Sequence, residues 1–132
     1  MRKTVAVAVL TILLFVLVPS YTSPSDAAPS SAPLITEVDL VLLMSVDPGF
    51  GGQAFIESTI PKIKQLRDLC KRYHVKPWIE IDGGIDTDNA DNVCAAGANV
   101  LVAGSSIFGK DDVPGAVRAL REAGNIGNLR RF

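Results

Sequence analysis

The sequence predicts a parallel α/β sheet, because short apolar runs alternate with segments of helical periodicity and each run ends in a glycine-containing turn. The apolar runs are 40–46, 78–82 and 99–103. The turns behind them are Asp47-Pro48-Gly49, Gly83-Gly84 and Gly104-Ser105-Ser106. The order is strand, helix, strand, helix, strand, helix, with no exact internal repeat. Folds of this kind keep their ligand sites in the loops after the strands.

The chain begins with Met1-Arg2-Lys3, followed by an unbroken run of apolar residues and threonines over 4–18 and a Ser/Pro/Ala-rich stretch from Pro24 to Pro33. A basic start, an apolar run and small residues near Ala27 and Ala28 make a secretory signal pattern. The run is short for a membrane span. Residues 1–32 are therefore expected to be a signal-like or non-native leader with its linker. Contact with a membrane follows only if the leader stays on as an uncleaved anchor.

The run Leu40-Val41-Leu42-Leu43-Met44-Ser45-Val46 is expected to be a strand buried on both faces. Residues 58–73 read as a helix, with Ser58 as cap and Pro61 in its first turn. Ile60, Ile63, Leu66, Leu69 or Cys70, and Tyr73 recur at helical spacing, while Lys62, Lys64, Arg67, Asp68 and Lys71 form a solvated face. Trp78-Ile79-Glu80-Ile81-Asp82 is the second strand. Thr87 or Asp88 is expected to cap a helix through Ala90, Val93 and Cys94, which Gly97 stops. After the third strand, Asp111, Asp112 and Pro114 open a last helix through Val117 and Leu120 that ends near Gly124. Residues 125–132 then form a polar, frayed tail.

A length of 132 residues suits one ordinary domain, and 48% hydrophobic with 20% charged residues is a globular composition. The net charge of −1 carries no footprint of nucleic-acid or anionic-membrane binding. A phosphorylated substrate is still compatible, because backbone N–H groups grip phosphate without basic side chains. Cys70 and Cys94 make neither a disulfide framework nor a metal knuckle, and are expected to be reduced, half-buried thiols. The one histidine, His74, falls at a helix C-terminus among charged residues, where a surface position is expected.

The chemistry lies in the loops. Gly49, Phe50, Gly51 and Gly52 bring bare backbone amides toward one point. Gly83 and Gly84 follow a carboxylate at a strand end. Gly104, Ser105 and Ser106 present amides and hydroxyls at the start of a short helical turn. In (β/α)8 barrels, the loops after the last strands and a short extra helix form the usual phosphate site. Asp82, ending an apolar strand, is suited to ligate a divalent metal and to carry a proton. Glu80 shares its parity and is expected as a polar residue of the barrel interior. Met44 ends the first strand, as core filler or as a substrate contact.

The run Met44-Ser45-Val46-Asp47-Pro48-Gly49-Phe50-Gly51-Gly52-Gln53 resembles the strand-six loop of ribulose-phosphate 3-epimerases. Trp78-Ile79-Glu80-Ile81-Asp82-Gly83-Gly84-Ile85 resembles that family's strand seven, and Val102-Ala103-Gly104-Ser105-Ser106-Ile107-Phe108 its strand eight. The first run is highly specific; the other two also occur in other phosphate-binding barrels. The resemblance implies the C-terminal part of a (β/α)8 TIM barrel over about 33–124. It also implies interconversion of D-ribulose 5-phosphate and D-xylulose 5-phosphate in the pentose phosphate pathway. A proton leaves the carbon beside the ketone and another returns on the opposite face. Two aspartates perform these transfers and, with two histidines, hold a divalent cation (zinc, iron, manganese or cobalt).

By position, Asp82 matches the proton donor and metal ligand of strand seven. Met44, Gly49, Phe50, Gly51, Gly52, Gly83, Gly84, Gly104 and Ser105 match the substrate- and phosphate-binding residues. The family's other aspartate, both histidines and a substrate-contacting serine belong to its first three strands, and nothing in this sequence corresponds to them. The expectation is an incomplete epimerase chain, inactive alone, with a non-catalytic sugar-phosphate-binding half-barrel as the alternative. Open sheet edges would favour aggregation or a homo-oligomer. The leader points to a secretory route or a membrane, and the resemblance to the cytoplasm or a plastid.

Overall fold

The computed structural model describes residues 34–129; the leader expected over 1–32 and the end of the expected tail lie outside them. After a 3-10 turn at Leu34–Thr36 come strand β1 (Leu40–Met44), helix α1 (Thr59–Arg72), β2 (Trp78–Asp82), α2 (Ala90–Ala96), β3 (Val100–Val102), a single turn α3 (Ser105–Phe108) and α4 (Val113–Leu129). The strands form one sheet in the order β1-β2-β3. Both pairings are parallel, and their register places Met44 beside Asp82 and Asp82 beside Val102. The alternating parallel architecture is the one the sequence predicts.

Side chains alternate across a strand, so Val41, Leu43, Ile79, Ile81 and Leu101 point to one face. There they join Ile63 and Cys70 of α1, Val93 and Ala96 of α2, and Leu120 of α4 in the core. The opposite face carries Leu40, Leu42, Met44 and Trp78, between 38% and 58% exposed. This corrects the expectation that the first strand is buried on both faces: helices cover only one side of the sheet among the described residues. The continuous apolar run records two apolar faces, not two covered ones.

Local signals placed the helices well and their caps less well. Ser58 precedes α1, but its hydroxyl makes no capping bond. The C-terminus of α1 closes through backbone bonds, from the His74 amide to the Lys71 carbonyl at 3.2 Å and from the Val75 amide to the Cys70 carbonyl at 3.1 Å. That pattern needs a left-handed residue at its apex, and His74 supplies it with φ 54°. His74 is exposed, as expected. Ahead of α2, the carboxylate of Asp86, and not Thr87 or Asp88, accepts from the amides of Asp88 (2.9 Å) and Asn89 (3.1 Å). Gly97 ends that helix as predicted. Asp112 caps α4, accepting from the Gly115 amide at 2.9 Å.

The last helix continues to Leu129, past the expected end at Gly124. Gly124 is not a stop signal here. It is buried against α2, where a Cβ would lie 3.3 Å from the Cys94 Sγ, and Gly127 sits against the Asp91 carbonyl. The two glycines let α4 approach α2 closely, so residues 125–129 are helix and not frayed tail. Cys70 and Cys94 are not disulfide-bonded and are both buried, beyond the half-burial expected. Burial pushes the Cys70 thiol up, away from its reactive thiolate form.

Candidate functional site

All three strand-end turns lie at the same end of the parallel sheet, because parallel strands share one polarity. Asp82 is half-buried at the C-terminus of β2, on the open sheet face with Glu80 and, by the register, level with Met44. Met44 is 52% exposed on that face. Among the described residues nothing covers the Met44 side chain, which lies on the same face as Asp82.

The turn after Asp82 is fastened to the segment that follows β1. Ser45 is fully buried; its hydroxyl donates to the carbonyl oxygens of Asp82 at 3.0 Å and Gly83 at 2.7 Å. Its backbone N–H also donates to the Asp82 carbonyl, at 2.8 Å. Gly83 and Gly84 both have left-handed φ, 121° and 64°. A Cβ on Gly83 would lie 2.6 Å from Val46 Cγ2, and one on Gly84 would run into the backbone of Ala54 and Phe55. The Gly-Gly pair is thus fixed by two requirements at once, backbone conformation and contact.

The other loops are tied in the same way. The Gln53 side-chain amide donates to the carbonyls of Asp47 at 2.6 Å and Phe50 at 2.8 Å, closing the Gly49, Phe50, Gly51 and Gly52 loop on itself. Asn89 donates from Nδ2 to the Gly84 carbonyl at 2.8 Å. Ser106 donates to the Ile85 carbonyl at 2.6 Å, joining the start of α3 to the turn after β2. Gly52, Gly84 and Ser105 line one open cleft of about 850 Å³, with Gln53, Asn89 and Lys110 among their neighbours. That volume is ample for a small phosphorylated ligand. Gly49, Phe50, Gly51, Gly83 and Gly104 do not line this cleft, and Met44 and Asp82 stand apart from it on the sheet face.

The profile of the ribulose-phosphate 3-epimerase family matches residues 21–108, most of the chain. This chain belongs to the ribulose-phosphate 3-epimerase family. Every site residue predicted from the sequence falls within the matched stretch. The chain is 56% identical over 84 residues to the chloroplastic ribulose-5-phosphate-3-epimerase of Arabidopsis thaliana, covering 64% of this chain and 30% of that protein. It is 47% identical over 85 residues to the ribulose-phosphate 3-epimerase of Synechocystis sp., covering 64% and 37%. With that of Bacillus subtilis it shares 48% identity over 86 residues, covering 64% and 40%. The chain thus spans well under half the length of these relatives.

Ser45, Gln53 and Asn89, which hold the epimerase-family loops together, carry no predicted role from the sequence, and Ser106, expected to present its hydroxyl from the loop, donates it to Ile85. A polar residue inside or just behind an apolar strand was the available signal at Ser45. Its partners lie 37 and 38 positions away, so nothing local identifies them.

The divalent metal implied by the resemblance needs several nitrogen, sulfur or carboxylate ligands at one point. Among the described residues, no group of three or more His, Cys, Asp and Glu side chains could hold a metal ion. The residues present do not fit a metal centre by themselves.

Proposed function

We propose that this chain carries the phosphate-gripping end and one of the proton-transfer carboxylates of an epimerase acting on a pentulose 5-phosphate. In this reading β1, β2 and β3 are strands six, seven and eight of the family's barrel, and the open face of the sheet is the barrel interior. The observation that carries it is the placement of Asp82. Its carboxylate ends β2 beside Met44, and the Gly83-Gly84 turn that follows is fastened by Ser45 and packed on Ala54 and Phe55.

The substrate's phosphate would be held by the amides of Gly51, Gly52, Gly83, Gly84, Gly104 and Ser105, with Gly49 and Phe50 shaping the first loop. Backbone donors suit a doubly charged phosphate because they are pre-oriented and bring no counter-charge to be desolvated. With the phosphate anchored at the loops, the sugar chain extends over Met44 toward Asp82. There the carboxylate moves a proton at the carbon beside the ketone, on one face of the substrate.

Inversion at that carbon needs a second acid-base group on the opposite face, together with stabilisation of the developing enediolate oxygen. Among the described residues no ligand set for a metal is found, and Glu80, the other carboxylate of this strand face, shares β2 with Asp82. That absence of a donor set favours binding without turnover for the chain alone. Purified chain mixed with zinc or manganese and D-ribulose 5-phosphate is expected to form no D-xylulose 5-phosphate. Metal-dependent turnover that disappears in Asp82→Asn would contradict this and assign the whole reaction to the chain.

A further inference from the structure

We propose that Ser45 is a positioning residue for anion binding, its buried hydroxyl aiming the amide N–H of Gly84 at the ligand. This rests on the reading of the Gly83-Gly84 turn as part of a phosphate site, and it adds the device that orients that donor. Ser45 lies one residue past the end of β1 and is fully buried. Its position is itself locked, since its own carbonyl accepts from the Ile56 amide at 2.8 Å. The hydroxyl has one proton to give, and it is shared between the Asp82 and Gly83 carbonyls at 3.0 and 2.7 Å.

In a trans peptide, the carbonyl and the following N–H point in opposite directions within one plane. Fixing the Asp82 carbonyl toward β1 therefore turns the Gly83 N–H to the β3 side, beside Val102 in the register, and fixing the Gly83 carbonyl sets the direction of the Gly84 N–H. The Gly84 N–H makes no turn or loop bond to another backbone carbonyl among the described residues. The pin matters because both residues are glycines with φ 121° and 64°, and nothing in their own side chains prevents either peptide plane from rotating. The Asp82 carbonyl keeps a second donor, the Ser45 N–H at 2.8 Å. For the Gly83 carbonyl, the hydroxyl is the partner the structure gives. Removal of the hydroxyl therefore acts chiefly on the Gly83–Gly84 peptide, whose N–H faces the ligand.

The test is a titration of the full chain with inorganic phosphate, followed by amide NMR at Gly83, Gly84 and Ser105, on wild type, Ser45→Ala, Ser45→Cys and Ser45→Thr. The wild type is expected to bind with shifts at all three amides. Ser45→Ala is expected to bind about tenfold more weakly, as loss of one hydrogen bond to a part-buried carbonyl implies, with the Gly84 shift reduced more than that of Ser105. Ser45→Thr, which keeps the hydroxyl, is expected to recover the wild-type affinity. If Ser45→Ala does not fold, Ser45→Cys decides, because its thiol is a weaker donor of similar size. Wild-type affinity in Ser45→Ala or Ser45→Cys, with the Gly84 shift intact, would overturn the role of Ser45 while leaving the phosphate site standing. No phosphate-dependent shift in the wild type would overturn the phosphate site and the role of Ser45 together.

Discussion

Gly84 shows how far one residue's environment departs from what its type announces. As a member of a Gly-Gly pair it reads as an ordinary turn, yet its φ of 64° and its contact with the Ala54–Phe55 backbone leave no room for a Cβ. Gly84→Ala is expected to destabilise the chain by about 1–3 kcal/mol, from a left-handed alanine and a forced backbone shift. Urea denaturation checks this, and a loss below about 0.5 kcal/mol would mean the two segments are not in contact. Asp82 was legible because a carboxylate closing an apolar strand is unusual. Ser45, Gln53 and Asn89 were not, because a serine or an amide acquires meaning only from carbonyls that the fold brings to it. Asn99 is a further case: its side-chain Oδ1 accepts from the Ile79 backbone N–H at 2.7 Å while its backbone N–H donates to the Ile79 carbonyl at 3.0 Å. Nothing in its neighbours along the chain points to that strand-bridging role.

Among the elements, strands and helices were readable because their signals are periodic and local. Val, Ile and Leu clustered in short runs, and apolar residues recurred every three or four positions in α1. The ends were less readable. Glycine stops α2 at Gly97 but passes unremarked through α4 at Gly124 and Gly127, where it is selected by the neighbouring helix and not by the turn. The C-terminus of α1 is the counterpart, a left-handed position occupied by His74 and not by glycine. His74→Gly is expected to stabilise the chain by about 1 kcal/mol by removing the left-handed penalty of a side chain. Thermal or urea unfolding that shows a loss of stability instead would place a needed contact on the imidazole.

At the scale of the whole molecule, the described residues are a parallel sheet covered on one face. Leu40, Leu42, Met44 and Trp78 line the other, with Trp78 58% exposed. An apolar face of this kind, flanked by unpaired strand edges, binds hydrophobic dyes and associates. Trp78, the one tryptophan, is expected to be readily quenched by iodide in the isolated chain at low concentration. Protection that grows with protein concentration would show that copies cover this face. The same open face carries Asp82, so the site's carboxylate and the surface that needs covering are one feature of the fold. Among the described residues, no helix is long and apolar enough to cross a membrane.

In the proposed reading, the strand-end loops grip a phosphate at a fixed distance from Asp82. This is tested most directly by calorimetric titration of the full chain with D-ribulose 5-phosphate and, in parallel, with unphosphorylated D-ribulose. Saturable binding of the phosphorylated sugar, absent for the free sugar and weakened in Gly84→Ala, is the predicted result. Equal behaviour of the two sugars would rule out a phosphate grip at these loops.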